Sequence, residues 1–180
     1  MIPIILCGKS NDTAILDALV PALSEYGNVL CFGPQKLTGD ADKEADFIVF
    51  DCEKLPSIDL KTGILLFKNS FEAQGPLQVP DGFSCILDSQ NLHAAAALRG
   101  SCAAAITCGT SSKDTISIAA LDETSASLSL QRSILTISGT VLEPHDFTVS
   151  LRPSLGPHRV LAVCAVLLVC GIESSEGYTI

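Results

Sequence analysis

The chain has no tryptophan, two tyrosines and seven phenylalanines in 180 residues. So few rings leave little from which to build a base-stacking platform for single-stranded nucleic acid. Basic residues are scarce as well: 11 lysines and arginines against 20 acids give a formal charge of −9, with no basic block anywhere. That balance excludes electrostatic capture of nucleic acid or of an anionic membrane surface. Long apolar runs are missing too. The longest, residues 160–172, has thirteen members, whereas a membrane-spanning helix needs about 20. The opening Met1-Ile2-Pro3-Ile4-Ile5-Leu6-Cys7 has no basic stretch ahead of its apolar residues and turns polar at Lys9, which is not a signal-peptide pattern. The expectation is a soluble, cytoplasmic protein with neither nucleic acid nor membrane as partner. Finally, no Cys-x-x-Cys occurs among the eight cysteines at 7, 31, 52, 85, 102, 108, 164 and 170. The closest pairs are six apart, too wide for a zinc knuckle. Most sit in apolar runs, where free cysteine acts as a small hydrophobe, so no disulfides and a reducing compartment are expected.

What the chain does have is apolar bulk, 47% hydrophobic against 17% charged, enough for one domain with a proper core. In the first half, short runs at residues 2–7, 29–32, 47–50, 64–67, 85–87 and 103–107 are apolar on consecutive positions. Runs of that length suit strands covered on both faces. Between the first two, residues 13–26 carry Ile15, Leu16, Leu19, Val20 and Leu23 at helical spacing, interrupted by Pro21 and stopped by Gly27. Pro21 removes a helix hydrogen bond and is expected to kink the segment. Residues 90–98 form a second helix pattern ended by Gly100. Strand–helix alternation of this kind predicts an α/β fold with a doubly wound, mostly parallel sheet.

Beyond about residue 110 the period becomes two. Ile116, Ile118 and Ala120, then Ala126, Leu128 and Leu130, then Phe147, Val149 and Leu151 alternate with polar or smaller neighbours. That pattern predicts half-exposed antiparallel strands. Turns are expected at 122–124 and 138–140, and a hairpin turn at Ser111-Ser112-Lys113-Asp114. A last helix is predicted over 158–170, after punctuation by Pro153, Gly156 and Pro157 and before Gly171. Residues 34–46, with four acids and two lysines, read as a solvated loop or exposed helix. The domain reading is one unit over 1–180: a parallel part to about 110, antiparallel strands and the last helix over about 111–172, and a short tail at 173–180.

In a doubly wound sheet the loop after the first strand is the place for a phosphate. Here it reads Gly8-Lys9-Ser10-Asn11-Asp12-Thr13. Gly-Lys-Ser matches the end of a Walker A pattern, but the first glycine of that pattern would fall on Pro3, and the cradle would have to be the strand itself. That register is a decoy.

A different register runs the length of the chain. Ile4-Ile5-Leu6-Cys7-Gly8…Thr13, the strand 47–51 ending in Asp51, Ile64-Leu-Leu-Phe-Lys-Asn69, then Asp88, helix 90–98 and Ala103-Ala-Ala-Ile-Thr-Cys-Gly109 follow one another in order. Gly156-Pro157-His158-Arg159 then leads into an apolar helix. In order and spacing this succession, over about residues 2 to 172, resembles the central ATP-binding domain of the Mur ligases, bacterial enzymes of peptidoglycan-precursor synthesis. The resemblance implies a phosphate-binding loop at Gly8, Lys9, Ser10, Asn11 and Thr13, and a metal-holding carboxylate at Asp51. It also implies nucleotide-side positions at Asn69, Asp88 and His158, with ATP and magnesium as cofactors.

The departures fall on the chemical positions. Asn11 stands for the family's second loop glycine and Asp12 for its phosphate-binding lysine, so ATP·Mg binding is weakened by a carboxylate facing polyphosphate. Asp51 is read either as a hard oxygen ligand at a strand end or as an exposed acid closing that strand. Ser70-Phe71-Glu72 replaces the family's Asp-His after Thr-Asn, and Arg159 replaces the Asn of its Gly-x-His-Asn. His145, with Glu143 and Asp146, reads as a polar turn. Catalytic residues cannot be named from this pattern. The expectation is a degenerate phosphate loop on a retained scaffold: a stand-alone, non-catalytic homologue, a pseudoenzyme serving as a binding or regulatory module. The alternatives are one subunit of a split ATP-dependent amino-acid ligase, with a protein partner supplying the missing domains, and a nucleotide- or anion-binding domain using the loop after the first strand. Exposed strand edges also admit a homo-oligomer.

Overall fold

The structure, a computed structural model, describes all residues except 41, 74, 153 and 154. Six strands make the parallel part. β1 (Ile2–Cys7), β2 (Val29–Phe32), β4 (Phe47–Cys52), β5 (Gly63–Phe67), β6 (Phe83–Asp88) and β7 (Ala104–Gly109) all run the same way, and the two-residue β3 (Leu37–Thr38) closes the edge antiparallel to β2. β8 (Ile116–Leu121), β9 (Ser125–Leu130) and β12 (His145–Ser150) continue the sheet, with antiparallel β8–β9 and β9–β12 pairs. β13 (Tyr178–Thr179) completes an eleven-stranded sheet of order β13-β12-β9-β8-β7-β6-β5-β1-β4-β2-β3. A small separate hairpin pairs β10 (Ile134–Leu135) with β11 (Val141–Leu142) through the turn at Gly139.

Period-two geometry assigns the strand residues to two cores. On one face Ile4, Leu6, Val49, Ile64, Leu66 and Ile86 meet α1 (Ala14–Ser24) and α3 (Pro157–Val169). On the other, Ile5, Cys7, Leu65, Phe67, Cys85 and Leu87 lie under the short α2 (Leu92–Ala97) and the loop residues Phe71 and Val79. Every residue of α3 from Val160 to Val169 is buried, because the helix is wedged between the sheet and α1 and has no solvent face left to be polar. Gly171 ends it at φ +78°. The N–H groups of Gly171 and Ile172 return to Leu168 O and Leu167 O, a left-handed cap that glycine adopts without steric cost.

The α/β parallel core and the antiparallel strands follow the expected order, and the structure differs from the sequence reading in several details. α1 is shorter than residues 13–26 and runs through Pro21 without a break, and α2 covers less than residues 90–98. Residues 34–46 hold β3 and loop among the described positions, with no helix. Ser111–Asp114 is a turn but not a hairpin, because β7 and β8 pair in parallel, Cys108 opposite Ile116. The chain steps back instead, held by the buried Asp114, which accepts Ser111 N–H at 3.0 Å, and by Thr115 N–H to Thr107 O at 2.9 Å. Residues 173–180 are no loose tail. β13 pairs with β12, Arg152 N–H bonds Ile180 O at 2.9 Å, and Tyr178 and Ile180 are buried. His145 likewise sits in β12 rather than in a turn, its ring bridging Glu143 O and Ser174 Oγ, while Asp146 accepts from Ser129. Pro153 lies outside the described residues.

Candidate functional site

From β1 the chain passes to β2 and β4 on one side, then to β5, β6 and β7 on the other. The order reverses beside β1, so a crevice opens between the C-terminal ends of β1 and β5, the usual ligand position in an open α/β sheet. Three residues end their strands there: Gly8 after β1, Asp51 in β4 and Lys68 after β5.

Lys68 fills that crevice. Its side chain is fully buried, and its Nζ lies 2.6 Å from Asp51 Oδ1, itself fully buried. The same ammonium donates to Asp12 O at 2.7 Å and to Lys9 O at 3.3 Å. Among the described residues, nothing but this ammonium contact reaches the Asp51 carboxylate. Burial pushes the Asp51 carboxyl above its ordinary range, and the Lys68 ammonium pulls against that rise. Asp51 is therefore not the exposed acid that a polar residue at a strand end suggests. The sheet and α1 exclude water from it, and only an internal cation makes its charge tolerable.

The segment after Lys68 ties the loop down further. Lys9 N–H donates to Ser70 Oγ at 3.1 Å, Ser70 Oγ–H donates to Asp12 Oδ2 at 2.6 Å, and Lys9 Nζ pairs with Glu72 at 2.7 Å on the surface. Gly8 N–H goes to Cys52 O and Asp12 N–H to Lys9 O. Thr13 donates its hydroxyl to Asp17 Oδ2 at 2.8 Å, and Ser10 and Asn11 are exposed beside a cleft bounded by α1 and residues 33–38. An anion-binding loop turns N–H groups inward. This one turns two carbonyls inward onto an ammonium. Gly8 has a matching role: a β-carbon there would lie 2.6 Å from Lys68 Cβ, so its missing side chain lets Lys68 cross beneath the loop.

Asn69, Asp88 and His158 come together separately, lining one small pocket with Leu161 and Cys108. Asp88 Oδ2 pairs with His158 Nδ1 at the start of α3, and Asp88 Oδ1 accepts Gln90 N–H at 2.7 Å. Asn91 joins the two groups: its Oδ1 caps α2 at Ala94 N–H and its Nδ2 donates to Lys68 O at 3.1 Å. Lys68 and Asn91 carry no role in the sequence reading. The available signal was a lysine closing Ile64-Leu-Leu-Phe, an otherwise wholly apolar strand, in the position where the resemblance has threonine.

The residues around Asp51 do not fit a magnesium ion as they stand. The carboxylate already holds an ammonium, and the described residues contain no group of three metal-ligating side chains. Two carbonyls and one carboxylate around a single nitrogen form a cation's oxygen shell, supplied here from within the chain.

No protein-family profile and no curated protein matches the chain. Solved structures match it by fold. The UDP-N-acetylmuramoyl-L-alanyl-D-glutamate–2,6-diaminopimelate ligase superposes with a TM-score of 0.61 at 14% identity, over 98% of this chain and 45% of that one. The UDP-N-acetylmuramoylalanyl-D-glutamyl-2,6-diaminopimelate–D-alanyl-D-alanyl ligase from Acinetobacter baumannii gives 0.58 at 14%, over 98% and 44%. MurF ligase from Thermotoga maritima, in complex with ADP, gives 0.55 at 11%, over 97% and 46%. The chain thus spans less than half the length of each ligase, and its fold is a Mur-ligase-like mixed α/β sheet.

Proposed function

We propose that this chain is a non-catalytic relative of the Mur ligase central domain, acting as a binding or regulatory module and not as an ATP-dependent ligase. The Mur-ligase-like fold supports the ancestry. The observation that carries the loss of chemistry is Lys68, whose Nζ lies against Asp51, Asp12 O and Lys9 O in the crevice where a nucleotide's phosphates would bind. Phosphate entry would have to expel a buried ammonium, turn two carbonyls outward and bring Asp12 toward a polyanion. Each of these steps opposes binding.

The test is a thermal-shift and calorimetric titration with millimolar ATP, with and without magnesium. No saturable rise in melting temperature is expected. A saturable rise that disappears in Thr13→Ala or Lys9→Ala would overturn the reading in favour of a working phosphate loop. ATP turnover appearing only on mixing with a second protein would make the chain a subunit of a split ligase.

A further inference from the structure

On the sheet face opposite Lys68, β1 and β4 end in two cysteines placed directly across from each other, Cys7 opposite Cys52. Adjacent strands lie about 4.8 Å apart, inside the Cα separation of about 4.4–6.8 Å that a disulfide spans. Both side chains leave the sheet on the same face, Cys7 within the second core and Cys52 packed against it. Each sulfur leans over the other's strand: Cys52 Sγ contacts Leu6 O at 3.5 Å, and Cys7 Sγ reaches Glu53 O at 4.0 Å. Both are free thiols. Cys7 is fully buried, whereas Cys52 is partly exposed. A cleft lined by Gly8, Glu53, Leu55, Phe71 and Leu77 flanks the pair. The other cysteines lack this arrangement; Cys85, Cys108 and Cys164 are buried in different strands or in α3.

We propose that Cys7 and Cys52 form a redox-active dithiol, a modification site at which a small hydroperoxide closes a cross-strand disulfide. In the first step the thiolate of the pair attacks one oxygen of hydrogen peroxide. The O–O bond breaks, leaving a sulfenic acid on that sulfur and releasing hydroxide, which takes the proton of the second thiol and becomes water. The second sulfur, now a thiolate, attacks the sulfenic sulfur. The S–S bond forms as the S–O bond breaks, and the departing hydroxide collects the proton first lost from the pair. The dithiol gives up two electrons and two protons, and the peroxide becomes two waters.

The site is independent of the reading of Lys68, although Gly8 N–H to Cys52 O places it at the root of the same loop. Closing the bond would staple β1 to β4 where they carry that loop and Asp51.

The full-length chain, reduced and freed of reductant, is treated with hydrogen peroxide, blocked with iodoacetamide and digested with trypsin without reduction. Cleavage after Lys9, Lys43 and Lys54 leaves Cys7 in residues 1–9 and Cys52 in residues 44–54, each the only cysteine of its peptide. The expected product is those two peptides joined, two hydrogens lighter than their sum and separated again by dithiothreitol. Exposed Cys102 is the internal control for oxidant delivery. A Cys52→Ser variant, altered at the partly exposed position, should fold, lose the linked peptide and fail to retain a monoarsenical, a reagent that needs two adjacent thiols. Recovery of the 1–9 and 44–54 peptides as separate alkylated or sulfinic species while Cys102 is oxidised would overturn the proposal. So would monoarsenical binding by Cys52→Ser equal to that of the wild-type chain.

Discussion

Replacing Lys68 by methionine keeps an unbranched apolar stem one atom shorter and removes the charge and the donors. The Asp51 carboxylate would then remain buried with no cation, and Lys9 O and Asp12 O would each lose a hydrogen bond. Breaking one partner of a buried ion pair costs about 3–5 kcal/mol. For a domain of this size each kcal/mol lowers the melting temperature by about 2–4 °C, so the expected drop is about 6–20 °C. The decisive companion is the double variant Asp51→Leu/Lys68→Met, in which no charge is left stranded. It should regain most of the loss, since a buried pair exchanged for apolar residues of similar volume is often near neutral. pH supplies a second axis. Burial raises the Asp51 carboxyl in the folded state, and losing Lys68 removes the main opposing pull. A folded pKa above the unfolded one gives stability that is fully present below the ordinary carboxylate range and is lost as pH rises through the folded value. The Lys68→Met deficit should therefore be smallest under acidic conditions near pH 4 and grow toward neutrality. Urea denaturation of the three proteins across that range measures it. A single variant within 1 kcal/mol of wild type, or a double variant no better than the single, would refute the argument that Lys68 neutralises Asp51 in a dry crevice.

Two further outcomes follow from the same geometry. Gly8→Ala should destabilise by about 1–3 kcal/mol, because the added methyl meets Lys68 Cβ at 2.6 Å and Ser70 Oγ at 3.0 Å; chemical denaturation reads it, and a neutral result would mean that Lys68 does not pass beneath the loop. In a kinetic thiol titration of the reduced native chain, exposed Cys102 should react first, while Cys85, Cys108, Cys164 and Cys170 stay silent until denaturant is added. Burial pushes Cys85 and Cys170 up to about 12, cutting their thiolate fraction about a thousandfold before access is considered.

The parallel core was legible because each of its strands is a short, nearly uninterrupted apolar run, and helices of 3.6-residue period stand between some of them. The run 64–67 could be nothing but buried. The same logic failed at strand ends, where one polar residue says nothing about its surroundings. Asp51 and Lys68 lie seventeen positions apart in a chain with charges scattered throughout, and only the β4-β1-β5 order brings them face to face. Likewise Tyr178 and Ile180 follow a polar stretch and look like a frayed end, yet they complete an edge, because β12 offers Ser150 O and residue 152 offers its N–H. The turn at 111–114 was recognisable by composition. Whether it joined antiparallel or parallel strands depended on the buried Asp114 and on the Thr107–Thr115 contacts.

By itself, then, the sequence determined the fold class and the position and acidic character of the loop after β1. Tertiary structure decided what that loop holds. Hydrophobic periodicity is a local property and survives in one dimension, but the pairing of a buried charge does not. Desolvation makes Asp51 costly only once the sheet has closed around it, and the cation that answers it comes from a neighbouring strand and not from a neighbouring residue.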